Sequence, residues 1–294
     1  MSGNPPISTT TAVFRRTGLA DGRTPLVLAS PHSGRLLPDD FHHTAQLPAL
    51  VLRRLEDAHV GALLRQAAQN GVVLFEALHA RAAIDLNRAP HEYDPAMIAG
   101  QLAMAARPSA RVNNGYGLFP KIAAPGQPIH RQPIPAAVAE QRIAMLYRPW
   151  HAALAQALQT AHARHGYAIL LDVHSMPGLR ADRPARIVLG CCHGNSAAGQ
   201  LVDWLQDWFE TAGLRVARNT PYAGGFTTAH HGRPAQGIHA VQIEIDRNLY
   251  MDPYSLAPHA GFACMVAMLA NLVADLQRSL PLAGLLPELP AVAE

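Results

Sequence analysis

Short apolar segments alternate with longer segments of helical periodicity along most of this chain. The clearest apolar segment covers residues 167–173, directly after Gly166, a glycine that ends a helical pattern. Strands that are separated by helices tend to pair in parallel and to be covered on both faces. We therefore predict an α/β fold, in which a single three-layer domain has a mixed, mostly parallel sheet with helices on both faces.

The same patterns predict the individual elements. Predicted strands cover residues 25–30, 72–75, 82–86, 167–173, 187–190 and 241–245, and predicted helices cover residues 47–69, 135–165, 196–212 and 258–278. Pro149 should break or kink the second helix, because proline has no amide hydrogen to donate. Residues 88–132 and 219–237 are rich in glycine, proline, asparagine and histidine, which predicts long loops.

Composition limits the classes of partner and the domain count. No internal repeat and no linker-like change of composition interrupts the chain, so we predict one catalytic domain over residues 12–280 with flexible tails at 1–11 and 281–294. With 24 basic and 21 acidic residues, the charge is too balanced to indicate nucleic-acid binding. The most apolar late segment, 261–270, is too short to span a membrane. Three cysteines, two of them adjacent, fit a reducing compartment, and we predict a cytoplasmic protein.

Two histidines follow predicted strands, where open α/β sheets place their functional sites. His32 comes after the first strand, although a histidine in a turn with proline and glycine can also be a simple turn residue. Asp172 and His174 end the most apolar strand, and alternation puts both side chains on one face. A carboxylate beside an imidazole fixes its tautomer, which is common for metal-bound histidine.

Acidic, amide and basic side chains end two further strands. Glu244 alternates with β-branched residues, so it either faces water at a sheet edge or points into a site. Asn87 and Arg88 end the segment DLNR, where a guanidinium could bind a substrate carboxylate through two hydrogen bonds. A surface ion pair is the alternative for Arg88.

Five segments, in one order, resemble the N-formylglutamate amidohydrolases. They are SPHSGR at 30–35, DLNR at 85–88, DVHSMPG at 172–178, NTPYAGG at 219–225 and HAVQIEIDRNLYMD at 239–252. The resemblance covers roughly residues 24 to 275. It implies a fold similar to that of the zinc carboxypeptidases (phosphorylase/hydrolase-like). It also implies hydrolysis of N-formyl-L-glutamate to formate and L-glutamate, within one route of histidine degradation.

The resemblance to carboxypeptidases extends to individual residues. It places His174 at their later metal histidine, Glu244 at their catalytic glutamate, and DLNR at the segment that binds a substrate carboxylate. The pattern departs at Arg35, which stands where those enzymes have a glutamate ligand three residues after the first histidine. Asp57 is the expected replacement, because its position resembles an acidic site of the amidohydrolases. Glu56 is the alternative ligand, and an exposed helical carboxylate is the plainer interpretation of Asp57.

The resulting hypothesis is an amidohydrolase with one Zn²⁺ per chain. His32, Asp57 and His174 would bind the metal and leave its fourth position open, as in catalytic zinc sites. Glu244 would act as general base for the attacking water.

The expected substrate is a small anionic N-acyl amino acid. Asn87 and Arg88 would bind one carboxylate, and the pair Gly224 and Gly225 would form a loop over the substrate. The second carboxylate needs another cation, with a slight preference for the last of four candidates: Arg81, Lys121, Arg183 and Arg247.

Three rival hypotheses stay open. The first is a zinc hydrolase that acts on another N-acyl amino acid or on a peptide C-terminus. The second is a metal-dependent enzyme of different chemistry. The third is a non-catalytic binding protein on the same fold, for which His32 and His174 should lie far apart. Nothing in the sequence pattern indicates an oligomeric state.

Overall fold

The computed structural model describes residues 8–10, 13–180, 184–282 and 284–286. Its strands, in chain order, are β1 Ser8–Thr10, β2 Phe14–Thr17, β3 Leu26–Ser30, β4 Val73–Ala77, β5 Ile98–Ala99, β6 Ile122–Ala124, β7 Gln127–Pro128, β8 Ile134–Pro135, β9 Ala168–Met176, β10 Ile187–Gly190, β11 Val216–Arg218 and β12 Ile238–Asp246. Its α-helices are α1 Phe41–Thr44, α2 Ala49–Leu52, α3 Val60–Leu64, α4 Ala110–Asn113, α5 Ala136–Arg142, α6 Arg148–His165, α7 Gly199–Thr211, α8 Phe226–His231 and α9 Gly261–Ser279.

Within the described residues, eight strands form one central sheet with the order β1-β2-β4-β3-β9-β12-β10-β11. Four neighbouring pairs are parallel: β4 with β3, β3 with β9, β9 with β12, and β10 with β11. The remaining pairs, β1 with β2, β2 with β4, and β10 with β12, are antiparallel. The predicted mixed, mostly parallel sheet of a single α/β domain is therefore confirmed.

Each face of the sheet carries a separate apolar core, because alternate strand residues point in opposite directions. On one face, Leu28 and Leu171 belong to a core that also contains buried residues of α3, α7 and α9. On the other face, Val27 and Leu170 pack in a core with Trp150 of α6. Helices thus cover both faces, which gives the three layers that the alternation of elements predicts. Among the described helices, none has the length and apolar character needed to cross a bilayer.

Two of the predicted elements are wrong. Residues 47–69 do not form one helix but α2, α3 and short 3₁₀ turns, with a break around Asp57. His59 has a left-handed backbone (φ 69°), and its Nε2 bonds to the carbonyl of Leu256, so a tertiary contact overrides the helical periodicity. Residues 82–86 form turns rather than a strand, because the amide of Asp85 bonds to the carbonyl of Leu118 and its carboxylate binds neighbouring groups.

The long helical pattern at 135–165 contains a change of helix type. A π-helical turn, Ile143–Tyr147, separates α5 from α6, and Pro149 lies in the first turn of α6. Proline is tolerated there, since the amides of a first helical turn need no partner within the helix. The interruption predicted from Pro149 is thus a local widening of the helix just before the proline.

Parts of both predicted tails pack on the domain. Ser8–Thr10 form the edge strand β1 and pair with β2. Leu285 is fully buried in a core, and its carbonyl lies 2.9 Å from Nε2 of His239. The described parts of the predicted tails are therefore attached to the sheet, while the domain limits of 12 and 280 stay predictions.

Candidate active site

Three adjacent parallel strands end at one edge of the sheet and bring the predicted functional residues together. His32 lies two residues beyond β3, and His174 lies near the end of β9. Glu244 of β12 stands directly opposite His174 in the strand register. Because the carboxyl ends of parallel strands meet at the same edge, residues far apart in the chain become neighbours here.

Alternation along the strands decides which side chains enter the site. In β12, Val241, Ile243 and Ile245 all belong to one core, so Gln242 and Glu244 point to the opposite face. Both line a cavity of 390 Å³. This matches the orientation that the sequence predicts for the β-branched residues and for Glu244.

The three predicted metal ligands meet at the base of this cavity. Nδ1 of His174 lies 2.9 Å, and Nδ1 of His32 lies 3.3 Å, from Oδ2 of Asp57. The two imidazole rings are 4.8 Å apart between centroids. This proximity is the opposite of what the hypothesis of a non-catalytic binding protein predicts.

Each histidine turns its other ring nitrogen to a second carboxylate. Nε2 of His32 lies 2.7 Å from Oδ1 of Asp85, and Nε2 of His174 lies 3.1 Å from Oδ2 of Asp172. A hydrogen bond from Nε2–H to a carboxylate leaves the lone pair on Nδ1, which faces the other histidine and Asp57. The pairing of Asp172 with His174 follows from strand alternation, whereas that of Asp85 with His32 was not anticipated.

The donor set fits a divalent metal ion. His32, Asp57 and His174 are all buried, and each offers one ligand atom within 4.8 Å of the others. Nδ1 of His32 has no hydrogen-bond partner among the described residues, although it is buried, and an unpaired buried nitrogen is costly. Tetrahedral zinc, with bonds of about 2.0–2.1 Å, would hold its ligand atoms about 3.3 Å apart. The two histidine nitrogens lie 2.9 and 3.3 Å from the Asp57 carboxylate, close to that value.

The backbone break in residues 47–69 brings Asp57 to this position. Its amide donates to the carbonyl of His32 over 2.9 Å, which ties the two candidate ligands together. Its Oδ1 accepts from Nη2 of Arg247 and from the hydroxyl of Ser175, both over 3.2 Å. Glu56 instead faces Arg35 and Arg53, each at 3.3 Å. Of the two acidic residues considered from sequence, Asp57 is therefore the one that reaches the histidines.

The charges of the site shift its titrating groups in opposite directions. Burial alone would raise the pKa of Asp57, but the neighbouring imidazoles of His174 and His32 hold that pKa well below its usual value. Burial lowers the pKa of His174, yet Asp172 and Asp57 outweigh this effect and raise it well above the ordinary value. Burial raises the pKa of Glu244 to about 7, with His174 opposing the rise and Asp57 adding to it. A carboxyl group with this pKa suits proton transfer near neutral pH.

Asn87 and Arg88, the predicted substrate clamp at the end of the DLNR segment, line the cavity. Nε of Arg88 donates to the carbonyl of Tyr116 over 2.9 Å, and Nη1 donates to the carbonyl of Asn87 over 3.0 Å. The amide oxygen of Asn87 accepts the backbone N–H of Thr227 over 2.8 Å. Both side chains are therefore held in fixed orientations at the cavity wall.

Gly224 and Gly225 also lie at this wall, as predicted for a loop beside the substrate. A Cβ atom at Gly225 would come within 2.2 Å of the Asn87 amide. Gly224 has a φ of 123°, a conformation that side chains disfavour. The glycine pair is thus required for the loop to approach Asn87 so closely.

The predicted candidates for a second cation are mostly engaged elsewhere. Nε of Arg81 lies 2.8 Å from Asp85, and Nη2 of Arg247 lies 3.2 Å from Asp57. Lys121 pairs with Asp94 at 3.1 Å and is not among the cavity-lining residues. Arg183 lies outside the described residues. Arg247, the slightly preferred candidate, is therefore already paired with Asp57, a candidate metal ligand.

Sequence reasoning missed several cavity residues. Three arginine and tyrosine side chains line the cavity from elements too short for periodicity to predict an orientation: Arg54 in a 3₁₀ turn, Arg111 in the four-residue helix α4, and Tyr222 in a loop. Asp85 was identified only as part of the DLNR segment. The available signal in the sequence was Arg81, a basic residue four positions before Asp85 that could hold this carboxylate in place.

Comparisons with known proteins give one family. A sequence model of the family described as N-formylglutamate amidohydrolase matches residues 24–251. An N-formylglutamate deformylase of Pseudomonas putida is 30% identical over 240 residues, covering 79% of this chain and 83% of that protein. An N-formylglutamate deformylase of Pseudomonas aeruginosa is 31% identical over 269 residues, covering 88% and 93%.

Solved structures agree with the fold. The crystal structure of an N-formylglutamate amidohydrolase from Ralstonia eutropha JMP134 matches with a TM-score of 0.86 and 35% identity, covering 91% of this chain and 98% of that one. The gene product Atu2144 from Agrobacterium tumefaciens matches with a TM-score of 0.62 and 21% identity, covering 88% and 92%. At that lower identity the likeness concerns the fold alone.

Proposed function

This chain belongs to the N-formylglutamate amidohydrolase family and is a hydrolase of non-peptide C–N amide bonds, and we propose that it cleaves the formyl C–N bond of N-formyl-L-glutamate. The products are formate and L-glutamate, and the reaction would serve histidine degradation. The observation that carries this proposal is the buried group of His32, Asp57 and His174 beside Glu244. That group lies in an arginine-lined cavity of a chain whose relatives are named for this activity.

The proposed cofactor is one zinc ion per chain, held by Nδ1 of His32, Nδ1 of His174 and a carboxylate oxygen of Asp57. When bound, such an ion polarises the scissile carbonyl and makes water more acidic. Asp85 and Asp172 would keep both imidazoles in the tautomer that presents Nδ1, and Arg247 would orient the Asp57 carboxylate.

Glu244 is the proposed general base. Its carboxylate would accept one proton from the attacking water as oxygen bonds to the formyl carbon. It would then give that proton to the glutamate nitrogen as the C–N bond breaks, so that the amine leaves without a negative charge. The pKa of about 7 supports both steps, because the group can hold and release a proton near neutral pH.

Asn87 and Arg88 are the proposed contacts for one substrate carboxylate. Arg88 lines the cavity and uses Nε and Nη1 for backbone carbonyls, so that Nη2 would be the atom that binds an anion. A guanidinium that is already fixed loses little conformational entropy when it binds a carboxylate. This clamp would place the formyl group at the metal end of the cavity.

The direct test is formate release by the purified protein, with and without a chelator. Substrates compared side by side should be N-formyl-L-glutamate, N-formyl-L-aspartate, N-acetyl-L-glutamate and a dipeptide. We expect N-formyl-L-glutamate to give the highest kcat/KM and the chelator to remove the activity. Faster cleavage of another N-acyl amino acid or of the dipeptide would reassign the substrate, and full activity after metal removal would refute the cofactor.

Glu244→Gln tests the base. The amide cannot accept the proton, so kcat should fall by about 10²- to 10⁴-fold while the metal content stays near one per chain. Glu210→Gln is a matched control, because Glu210 is exposed on α7 and does not line the cavity. A Glu244→Gln protein with near-normal turnover would rule out this role.

A further inference from the structure

The cavity contains more positive charge than its own carboxylates neutralise. Five arginines line it within the described residues: Arg54, Arg81, Arg88, Arg111 and Arg247. Two of them are paired with carboxylates of the metal end, Arg81 with Asp85 and Arg247 with Asp57. The other three are therefore the ones available to an anionic ligand.

These three arginines differ in how they are held. Arg88 is nearly buried, and its nearest carboxylate contact is a loose one, 3.9 Å from Asp85. Arg54 and Arg111 are exposed, and neither has an ion pair with any described residue. One buried guanidinium and two exposed guanidiniums without ion pairs to described residues thus border the same space.

Arg111 is tied to the wall that carries the substrate clamp. It lies on α4, a short helix whose first turn is capped by the hydroxyl of Ser109, which accepts the amide of Val112. Its Nη2 lies 3.4 Å from the carbonyl of Gly224. The next residue, Gly225, packs on the amide of Asn87. Arg111 therefore stands at the rim of the cavity next to the DLNR segment.

Arg88 and Arg111 also influence each other electrostatically. Burial lowers the pKa of the Arg88 guanidinium, and the charges of Arg81 and Arg111 act in the same direction. Two neighbouring cations repel each other until an anion lies between or across them, so the pair favours a ligand with two negative groups.

We infer that Arg111 binds the second carboxylate of a dianionic N-formyl amino acid while Arg88 binds the first, which makes Arg111 the residue that selects glutamate over uncharged analogues. This inference rests on the proposed function, since it names a contact of the same substrate. The hydrogen bond from Arg111 to the carbonyl of Gly224 also links this cation to the glycine loop that would lie over the substrate.

The test compares Arg111→Gln with the wild-type protein on N-formyl-L-glutamate and N-formyl-L-glutamine, which differ in the second charge. We expect KM for the glutamate substrate to rise about 10- to 100-fold, as for the loss of a hydrogen bond between charged groups. The KM for the glutamine substrate should change by less than about threefold, and kcat for either substrate should change less than KM. Arg111→Lys should restore part of the preference.

Two further variants separate the outcomes. Arg107→Gln is the matched control, since Arg107 is exposed in the same segment but does not line the cavity, and it should behave as wild type. Arg54→Gln tests the competing cation. If Arg54→Gln rather than Arg111→Gln removes the preference, or if Arg111→Gln affects both substrates equally, the inference is wrong.

Calorimetry of L-glutamate and L-glutamine binding to the same proteins tests the inference independently of the proposed function. A wild-type protein that releases no formate would refute the function. The inference would still stand or fall on whether Arg111→Gln weakens L-glutamate binding about 10- to 100-fold and spares L-glutamine.

Discussion

Two pairs of histidines are buried to a similar degree but have opposite electrostatic surroundings. His32 and His174 are each 2% exposed, and His151 and His231 are 7% and 6% exposed. The first pair has a carboxylate on each outer nitrogen and shares Asp57. In the second pair, Nδ1 of His151 lies 3.1 Å from Nε2 of His231, and Nε2 of His151 bonds to the carbonyl of Leu86.

The difference appears in the protonation of the rings. Burial lowers the pKa of His151 to about 3 and that of His231 to about 2, and the nearby charges of His230 and Arg233 do not counter this effect. Carboxylates reverse the same burial penalty at His174. Burial alone therefore makes a histidine a neutral structural residue. The carboxylates around the first pair create the negative field that a metal ion needs.

The second pair also supports the first region. His151 holds the carbonyl of Leu86, and Tyr147, one turn earlier, donates to the carbonyl of Arg88 over 2.8 Å. The turn at 86–88 that carries Asn87 and Arg88 is thus anchored to the helical segment beneath it. We expect changes in this pair to affect stability, and changes in the first pair to affect metal binding.

The largest expected effect is the loss of the metal from His174→Gln. Removing one of three protein ligands should lower the bound metal from about one per chain to near zero and reduce kcat/KM about a thousandfold or more. Elemental analysis and formate release measure both. His231→Gln is the matched comparison and should keep its metal. Retention of metal by His174→Gln, or its loss from His231→Gln, would break the distinction between the two pairs.

A smaller effect is expected when the outer carboxylates are neutralised. Asp85→Asn and Asp172→Asn leave the ligands in place but weaken the hydrogen bonds that orient them, so the metal affinity should fall about 10- to 100-fold. Competition with a chelator of known affinity measures the change. Asp203→Asn, at an exposed aspartate paired with Arg218, is the control. Unchanged affinity in both outer-carboxylate variants would show that the ligands need no such support.

The last expected effect concerns acid stability rather than metal binding or activity. The folded protein holds His151 and His231 neutral, while an unfolded histidine takes up a proton near pH 6.5. Their contribution is therefore present above pH 6.5 and is lost as the pH falls towards the folded pKa values, by about 1.4 kcal/mol per pH unit for each group. The free energy of unfolding between pH 6 and 4 should depend less steeply on pH in His231→Gln than in wild type.

His43→Gln controls for a histidine on the surface, because His43 is exposed on α1. Its stability should follow the wild-type pH dependence. If His231→Gln and His43→Gln behave alike, the neutral pair does not set the acid sensitivity of the fold.

Much of the site could be predicted where strands determine it. Alternation in β9 and β12 put Asp172, His174 and Glu244 on the right face, since a strand leaves each residue only two directions. Residues outside strands could not be oriented this way. Asp57 was expected on a helix, Asp85 on a strand, and Arg111 was not considered, because contacts distant in sequence set the backbone at each of them.

The amino-acid sequence by itself determined the α/β class, the family, and the two strands at whose ends His32 and His174 lie. Only the tertiary structure showed that Asp57, and not Glu56, contacts the two histidines, that Asp85 is the partner of His32, and that Arg81 and Arg247 are already paired with carboxylates. The physical reason is that periodicity records burial along one element. The partner of a buried charged group depends instead on how several elements pack together.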